Sequence, residues 1–430
     1  MSVLSEGNEC NIEFTYSDIE RSMYSSLILN TAEGTGAMTS TTELQPNVGS
    51  SAGVVLGLIR SGQCRSRADI ARSTGLSPST VAQRVDALIA AGYVREAGAG
   101  VSQGGRRPRA LEIDPTGGVV CAVDLGSHHA TFGLSDLGGR LLAVRNESMR
   151  IADGPDAVLR WLASVADGMV AEHAAPGQVL RGFGIGLPGP VDSTSGRMVS
   201  PSRMPGWNGV DVAAQLSALT ELPAAVDNDA NLMALGEYDG LAENAEPLVF
   251  VKAGSSIGCG VVAFGGLYHG HHGMAGDISH VTVPDAPVVL CSCGRIGCLD
   301  AVAGGAAIVQ ALRDAGVEVS DTREVLALAR DAHPLATQML REAGLRVGGV
   351  LATIMNFFNP QRLVLGGILG EAEAFVAGVR SAIYSDCLPM ITDQLEVAVS
   401  ATKERAGIRG AGRLILDTIF DVSRINRTVR

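Results

Sequence analysis

One histidine and three cysteines, His280, Cys291, Cys293 and Cys298, fall within DISHVTVPDAPVVLCSCGRIGC, and few features bind the path of a chain more tightly. Zn²⁺ takes four N or S ligands in a closed tetrahedral shell, and three thiolates with one imidazole fill that shell, leaving no position for water. A glycine follows the second cysteine and another precedes the third, so the backbone can turn sharply between ligands. The stretch reads as a structural zinc site that pins a loop. The alternative, reduced core cysteines close in sequence by chance, gives the turn-forming spacers no purpose.

With 430 residues the chain is long enough for two or three domains, each with its own core. Cys10, Cys64, Cys121, Cys259 and Cys387 are scattered with no disulfide-like framework, which fits a reducing compartment. The first 30 residues hold neither a basic n-region nor an apolar stretch, and no run of 18 apolar residues occurs anywhere. A cytoplasmic location and no membrane partner are therefore expected.

The formal charge of −12 hides an asymmetry. Between residues 50 and 110 nine arginines face three acids, a local net charge of +6. Residues 1–49 carry seven acids and only Arg21. A basic module inside an acidic protein is the electrostatic footprint of a tethered nucleic-acid-binding domain, a solvated arginine face being the simpler alternative. Residues 1–48, rich in Ser, Thr, Asn, Glu and Gly without periodicity, read as a disordered tail, and Met38 stands as a candidate translation start.

The basic island, residues 49–115, reads as three short helices and a hairpin. Val54, Val55, Leu58 and Ile59 form an apolar stripe over 53–61 that Gly62 ends. Ser66 opens a second helix, with Asp69 completing a capping box and Gly75 forcing a turn. Ser77 then caps a third, Pro78 being its first residue, and Val81, Val85, Leu88 and Ile89 share its inward face. Ser79, Thr80, Gln83 and Arg84 are left on the outer face near the helix start, where a recognition helix presents hydrogen-bonding groups to major-groove base edges. Beyond Gly92 a glycine-rich hairpin carries Arg106, Arg107 and Arg109 near its tip. It reads as a wing able to follow a phosphate backbone, or as a solvated turn.

From Gly117 the chain turns Val-, Ala- and Gly-rich. GVVCAVDLGSHHATFGLSDLGGRLLAVRNE reads as three strands joined by turns, with Asp124 and Gly126, then Asp136 and Gly138, placed as if to hold a metal–nucleotide complex. A second glycine-rich turn, KAGSSIGCGVV, follows another buried strand. In VDNDANLMALGEY, Asn228, Asp229 and Asn231 cluster where a strand meets a helix. An amide beside a carboxylate suits vicinal hydroxyls, and an aspartate there can take a hydroxyl proton. Plain helix capping accounts for the same residues.

Together these segments resemble the ROK family, named for repressors, open reading frames and kinases, over nearly everything from residue 50 onward. The family's C-x-C-G-x-x-G-C-x-E appears as CSCGRIGCLD and its G-E-I-G-H as GDISH. The resemblance makes His280 a zinc ligand with Cys291, Cys293 and Cys298. It also implies a sugar site of Asn228, Asp229, Asp277, His280 and Asp300, with Asp229 at the position of the kinases' catalytic base. Asp277 and Asp300 stand where the kinases usually have Glu.

The phosphate loops depart further. The kinases' D-x-G-G-T-K is Asp124, Leu125, Gly126, Ser127, His128 and His129 here, without the hydroxyl or the lysine. Their G-T-G-I-G-G-G becomes Gly254, Ser255, Ser256, Ile257, Gly258, Cys259 and Gly260, adding side chains where backbone should approach phosphates. A degraded nucleotide site beside a retained sugar site, fused to a winged helix-turn-helix, resembles the family's sugar-responsive repressors. The rival reading is an ATP-dependent sugar kinase using Asp229.

The expected architecture is α/β. The winged helix of 49–115 precedes two actin-like lobes, the smaller from 117–240 with 408–425 and the larger, carrying the zinc, from 241–407. The expected partners are double-stranded operator DNA, a sugar or sugar-phosphate effector and further copies of the chain in a dimer or tetramer.

Overall fold

The computed structural model describes residues 51–99, 109–241 and 246–429. The tail, Met38, Arg106 and Arg107 lie outside the described residues.

Three serines start the basic island's helices. Ser51 caps α1 (Ala52–Arg60), Ser66 caps α2 (Arg67–Thr74) and Ser77 caps α3 (Pro78–Ala90), each accepting from a first-turn amide. Gly75 ends α2 at φ 71°, in the left-handed region that favours glycine. Only half of the expected capping box forms, because Asp69 accepts from the Arg65 amide and not from that of Ser66. Val81, Val85 and Leu88 are buried as their spacing predicts, while Ile89 sits half-buried at the edge. Strands β1 (Val94–Ala99) and β2 (Arg109–Ile113) pair antiparallel as the base of the hairpin.

The first sheet holds β3 (Val119–Leu125), β4 (His129–Asp136), β5 (Leu141–Ser148), then after α4 (Pro155–His173) β6 (Leu180–Leu187), and after α5 (Val212–Thr220) β7 (Ala224–Asn228). Its order is β5-β4-β3-β6-β7, with β3, β6 and β7 parallel and β4 and β5 antiparallel to their neighbours. Every residue of β3 except Asp124 is buried, as a strand covered on both faces must be, whereas edge strand β5 alternates half-buried and exposed. Helix α6 (Asp229–Asp239) leaves directly from β7.

The second sheet repeats the plan. Strands β8 (Leu248–Ala253), β9 (Ile257–Ala263) and β10 (Gly266–Leu267) are followed by helices α7 (Leu299–Ala303), α8 (Gly305–Asp314), α9 (Thr322–Arg330) and α10 (Pro334–Phe358). Then come β11 (Arg362–Gly366), α11 (Glu373–Asp386) and β12 (Glu396–Val399). The order β10-β9-β8-β11-β12 gives each sheet three antiparallel strands extended by two parallel ones, the duplicated plan expected of two actin-like lobes. Gly366 and Gly367 stand in succession where β11 ends beside β8. A Cβ at the first would collide with the Phe250 ring, and one at the second with Ala253 backbone, so both serve the β8–β11 contact.

Sequence periodicity predicts one C-terminal helix over Arg409–Phe420. The chain forms α12 (Ala406–Ile419) and then, capped by Asp421, a further helix α13 (Val422–Thr428). Helix α12 lies against β6 and α6 at closest approach: a Cβ at Gly184 would strike the Ala411 carbonyl, and one at Gly410 the Leu232 carbonyl. Its far end enters the winged helix. Leu416, Ile419, Phe420, Ile425 and Val429 join Val55, Ile59, Leu88 and Tyr93 in one core. Each such side chain contributes about 1.5–3 kcal/mol through burial. Gly53 completes the contact, its amide donating to Asn426 Oδ1 at 2.9 Å with Val422 backbone where a Cβ would sit. Among the described residues no helix is long and apolar enough to cross a membrane.

Candidate functional site

Parallel strands β6 and β7 end at Leu187 and Asn228, and β8 from the other sheet ends at Ala253. Open α/β sheets bind ligands beyond these carboxyl ends, and here a cleft is lined by Asn228 and Asp229 on one side and Lys252, Asp277, His280 and Asp300 on the other. The five residues that the sequence resemblance assigns to a sugar thus share one cleft.

Asn228 does two jobs. Its Oδ1 accepts from the Ala230 and Asn231 amides as the N-cap of α6, and its Nδ2 donates to the Gly189 carbonyl at 3.1 Å, so capping accounts for much of its geometry. Asp227, behind it, accepts from Asn231 Nδ2 at 2.9 Å, and its other oxygen lies 2.6 Å from His269 Nε2. The Asp227 partnership holds His269 above the usual histidine range, against the opposing effect of burial.

Two ion pairs cross the cleft. Lys252 on β8 pairs with Asp229 at the head of α6, and Arg203, from the segment between β6 and α5, pairs with Asp300 on α7. The other Asp300 oxygen accepts from the Ile257 amide at 2.8 Å. Both carboxylates are buried while the cations open toward the cleft. Sequence reasoning missed both cations. A signal existed for Lys252, one of two lysines in the chain and a charge set in the buried run LVFVKA. Nothing in SPSRMPGW marked Arg203.

Asp124, half-buried at the end of β3, feels both charges of the Lys252–Asp229 pair. Burial pushes its carboxyl up to about 6, the Lys252 ammonium pulling the other way. Asp136, expected beside it, is at the opposite end of the sheet: in the antiparallel β3–β4 register it faces Val119, and it closes the turn by accepting from the Arg140 amide at 3.0 Å.

The phosphate loops are filled by the chain itself. The His129 ring stands where a Cβ on Gly126 would be, and burial, then Lys252, pushes its pKa down, so the kinases' lysine position holds a neutral imidazole at pH 7. In the second loop the Gly254 and Ser255 carbonyls accept from Gly305 and Ala306, the first amides of α8, at 2.8 and 3.0 Å. Those amides, the natural anion site of a helix start, are occupied.

His280, Cys291, Cys293 and Cys298 converge, their ligand atoms all within 4.8 Å of one another. Cys291 Sγ lies 3.5 Å from His280 Nδ1 and Cys293 Sγ 3.6 Å from Cys298 Sγ. Tetrahedral zinc bonds of about 2.0–2.3 Å place ligands roughly 3.5–3.8 Å apart, so this donor set fits the metal. The loop also touches the opposite side of the cleft, Ser292 Oγ donating to Ser202 Oγ at 3.3 Å.

On the basic module, Ser79 and Gln83 are exposed on α3 and Thr80 is half-buried, its hydroxyl 2.8 Å from Ser77 Oγ. Arg84 is also half-buried, with Nε enclosed and lacking a hydrogen-bond partner among the described residues. Arg109 is exposed and paired with Glu96, which also receives Arg67, so the hairpin base is tied to α2.

Comparison with known proteins finds the ROK family model matching residues 120–418 and a winged helix-turn-helix DNA-binding model matching 55–95. A xylose repressor of Caldicellulosiruptor bescii is 28% identical over 383 residues, 85% of this chain and 95% of that repressor. A glucokinase of Thermotoga maritima is 29% identical over 321 residues, 70% of this chain and 98% of the enzyme. The crystal structure of a ROK-family transcriptional regulator, a homologue of the Escherichia coli MLC protein, superposes with a TM-score of 0.73 at 26% identity, over 89% of this chain and 99% of that one.

Proposed function

The chain belongs to the ROK family, and from that premise we propose that it is a sugar-responsive DNA-binding repressor of carbohydrate uptake or catabolism genes. One observation carries the reading: α12 lies against the cleft's own elements, β6 and α6, and with α13 completes the core of the winged helix. The similarity to a xylose repressor extends over both parts. No phosphoryl transfer is assigned to the chain, since Lys252 occupies the carboxylate that would serve as base and His129 and α8 fill the phosphate loops.

In this reading a sugar binds between a lobe of residues 117–240 with 408–425 and a lobe of 241–407, through Asn228, Asp229, Asp277, His280 and Asp300. His280, Cys291, Cys293 and Cys298 hold a structural zinc that keeps the His280 loop against the cleft. Ser79, Thr80, Gln83 and Arg84 read base edges, while Arg106, Arg107 and Arg109 follow phosphate. The chain works in the cytoplasm as a dimer or tetramer, whose paired recognition helices must meet half-sites about 10 bp, or a multiple of that, apart. Sugar binding changes the lobe angle and so the spacing of those helices. Full switching needs the sugar to prefer one state by roughly 10⁴-fold, about 5.5 kcal/mol.

The test is to pass sheared genomic DNA of the host over the purified protein and sequence what is retained. Enrichment of a palindrome beside sugar transport or catabolic genes supports the reading. No enrichment with or without sugars removes it.

A further inference from the structure

We propose that Lys252 and Arg203, which lie outside the residues that the family resemblance assigns to the sugar, make the cleft select an uncharged polyol over its phosphorylated or acidic forms. The inference rests on the sugar-responsive reading above and narrows its effector class.

Each cation belongs to a pair that straddles the cleft. Lys252 comes from the second sheet and Asp229 from the helix that leaves the first, whereas Arg203 comes from the first-sheet side and Asp300 from α7. Exposure within the pairs is lopsided: the carboxylate side chains are 7% exposed, against 23% for Lys252 and 40% for Arg203. The carboxylates thus form the floor and the cations the rim.

Both cations keep donors in reserve. An ammonium has three N–H groups and a guanidinium five, and among the described residues only Asp229 receives from Lys252 and only Asp300 from Arg203. A hydroxyl donates once and accepts at its lone pairs, so it can give its proton to the floor carboxylate while taking one from the rim cation. Each pair therefore matches one hydroxyl, and the two together match a polyol bridging the cleft.

A phosphate or carboxylate has no such match. At neutral pH it offers the floor no proton, and the charged side chains lining the cleft, Lys252 and Arg203 against Asp229, Asp277 and Asp300, leave a surplus of negative charge. An anion that takes the spare N–H groups of Lys252 or Arg203 lies beside the buried Asp229 or Asp300 carboxylate, a like-charge contact that a neutral hydroxyl does not make.

Calorimetric titration of the full chain with pentoses, hexoses, N-acetylhexosamines and the phosphate of each tests this. At least one neutral sugar should bind, and tenfold or more tighter than its phosphate. Asp229→Asn removes a floor charge and frees Lys252, so it should shift the neutral-to-phosphate preference at least tenfold toward the phosphate. Arg203→Gln, at an open position, should weaken the neutral sugar about tenfold without creating phosphate binding. A phosphate bound as tightly as its parent sugar, or a preference that Asp229→Asn leaves unmoved, overturns the inference while the sugar-responsive reading stands. No binding by any sugar or phosphate overturns both.

Discussion

Arg60 on the first helix of the winged module and Asp417 near the end of α12 form an ion pair between residues 357 apart in sequence. Arg413, one turn earlier, also holds Asp417 at 2.8 Å and reaches Asp239 at the last residue of α6. The first residue of that helix is Asp229, so a single helix has its head in the cleft and its tail in a charge network that ends on the DNA-binding module.

Breaking the network should uncouple the module without unfolding it. Arg60 and Asp417 side chains are 30% and 40% exposed, so after solvent screening their pair contributes no more than about 1 kcal/mol to stability. Arg60→Ala should keep operator affinity within a few-fold and sugar affinity unchanged, while reducing the effect of sugar on DNA binding. Fluorescence anisotropy on operator DNA with and without sugar measures each quantity.

Phe420 packs edge-on to Tyr93 at 6.1 Å between ring centroids, and the Arg60 guanidinium lies 4.9 Å from its ring centre. Phe420→Ala should cost about 3–5 kcal/mol, the usual range for a buried aromatic. The loss falls on the winged module, so DNA binding should vanish while calorimetric sugar binding persists. Deleting residues 422–430 should reproduce that split.

Zinc should be present at about one per chain and fall to background in Cys298→Ser, because a closed tetrahedral site does not tolerate loss of a buried thiolate. Metal analysis gives the stoichiometry. Chelated protein should bind operator and ignore sugar, since the loop carrying His280 and touching Ser202 is no longer held. A normal sugar response from metal-free protein would contradict this role.

His269 joins the loop that follows β10 to Asp227, and its pKa is raised above 6.5 by that partner. The folded chain holds the proton more tightly than the unfolded chain. The resulting stabilisation is complete below pH 6.5 and is lost as pH rises through the raised folded value. Thermal stability should therefore fall more steeply from pH 6.5 to 8.5 in the wild type than in His269→Gln, as thermal unfolding followed across that range measures. Equal slopes would exclude the pair as the cause.

Short-range chemistry made much of this molecule legible in its sequence. Ser66 and Ser77 with Pro78 announced their helices, Gly75 its turn, and the Cys-x-Cys spacing its cluster, because each signal and its consequence lie within a few residues. Long-range pairing was not legible. The matching order of the two sheets depends on strands such as β8 and β11 meeting across more than a hundred residues, which no local period encodes. Asp136 looked like a partner of Asp124 until the antiparallel register put it at the other end of the sheet. Val422, Ile425 and Val429 carried a helical spacing too short to stand out, although Asp421 before them is an ordinary N-cap.

The most direct test of sugar control titrates operator-bound protein with the tightest neutral sugar from the calorimetric panel, following anisotropy of labelled DNA beside the Asn228→Ala variant. The account predicts that saturating sugar changes wild-type operator affinity at least tenfold, whereas the variant binds DNA normally and does not respond. Operator affinity that stays constant while calorimetry shows the cleft filled would contradict it.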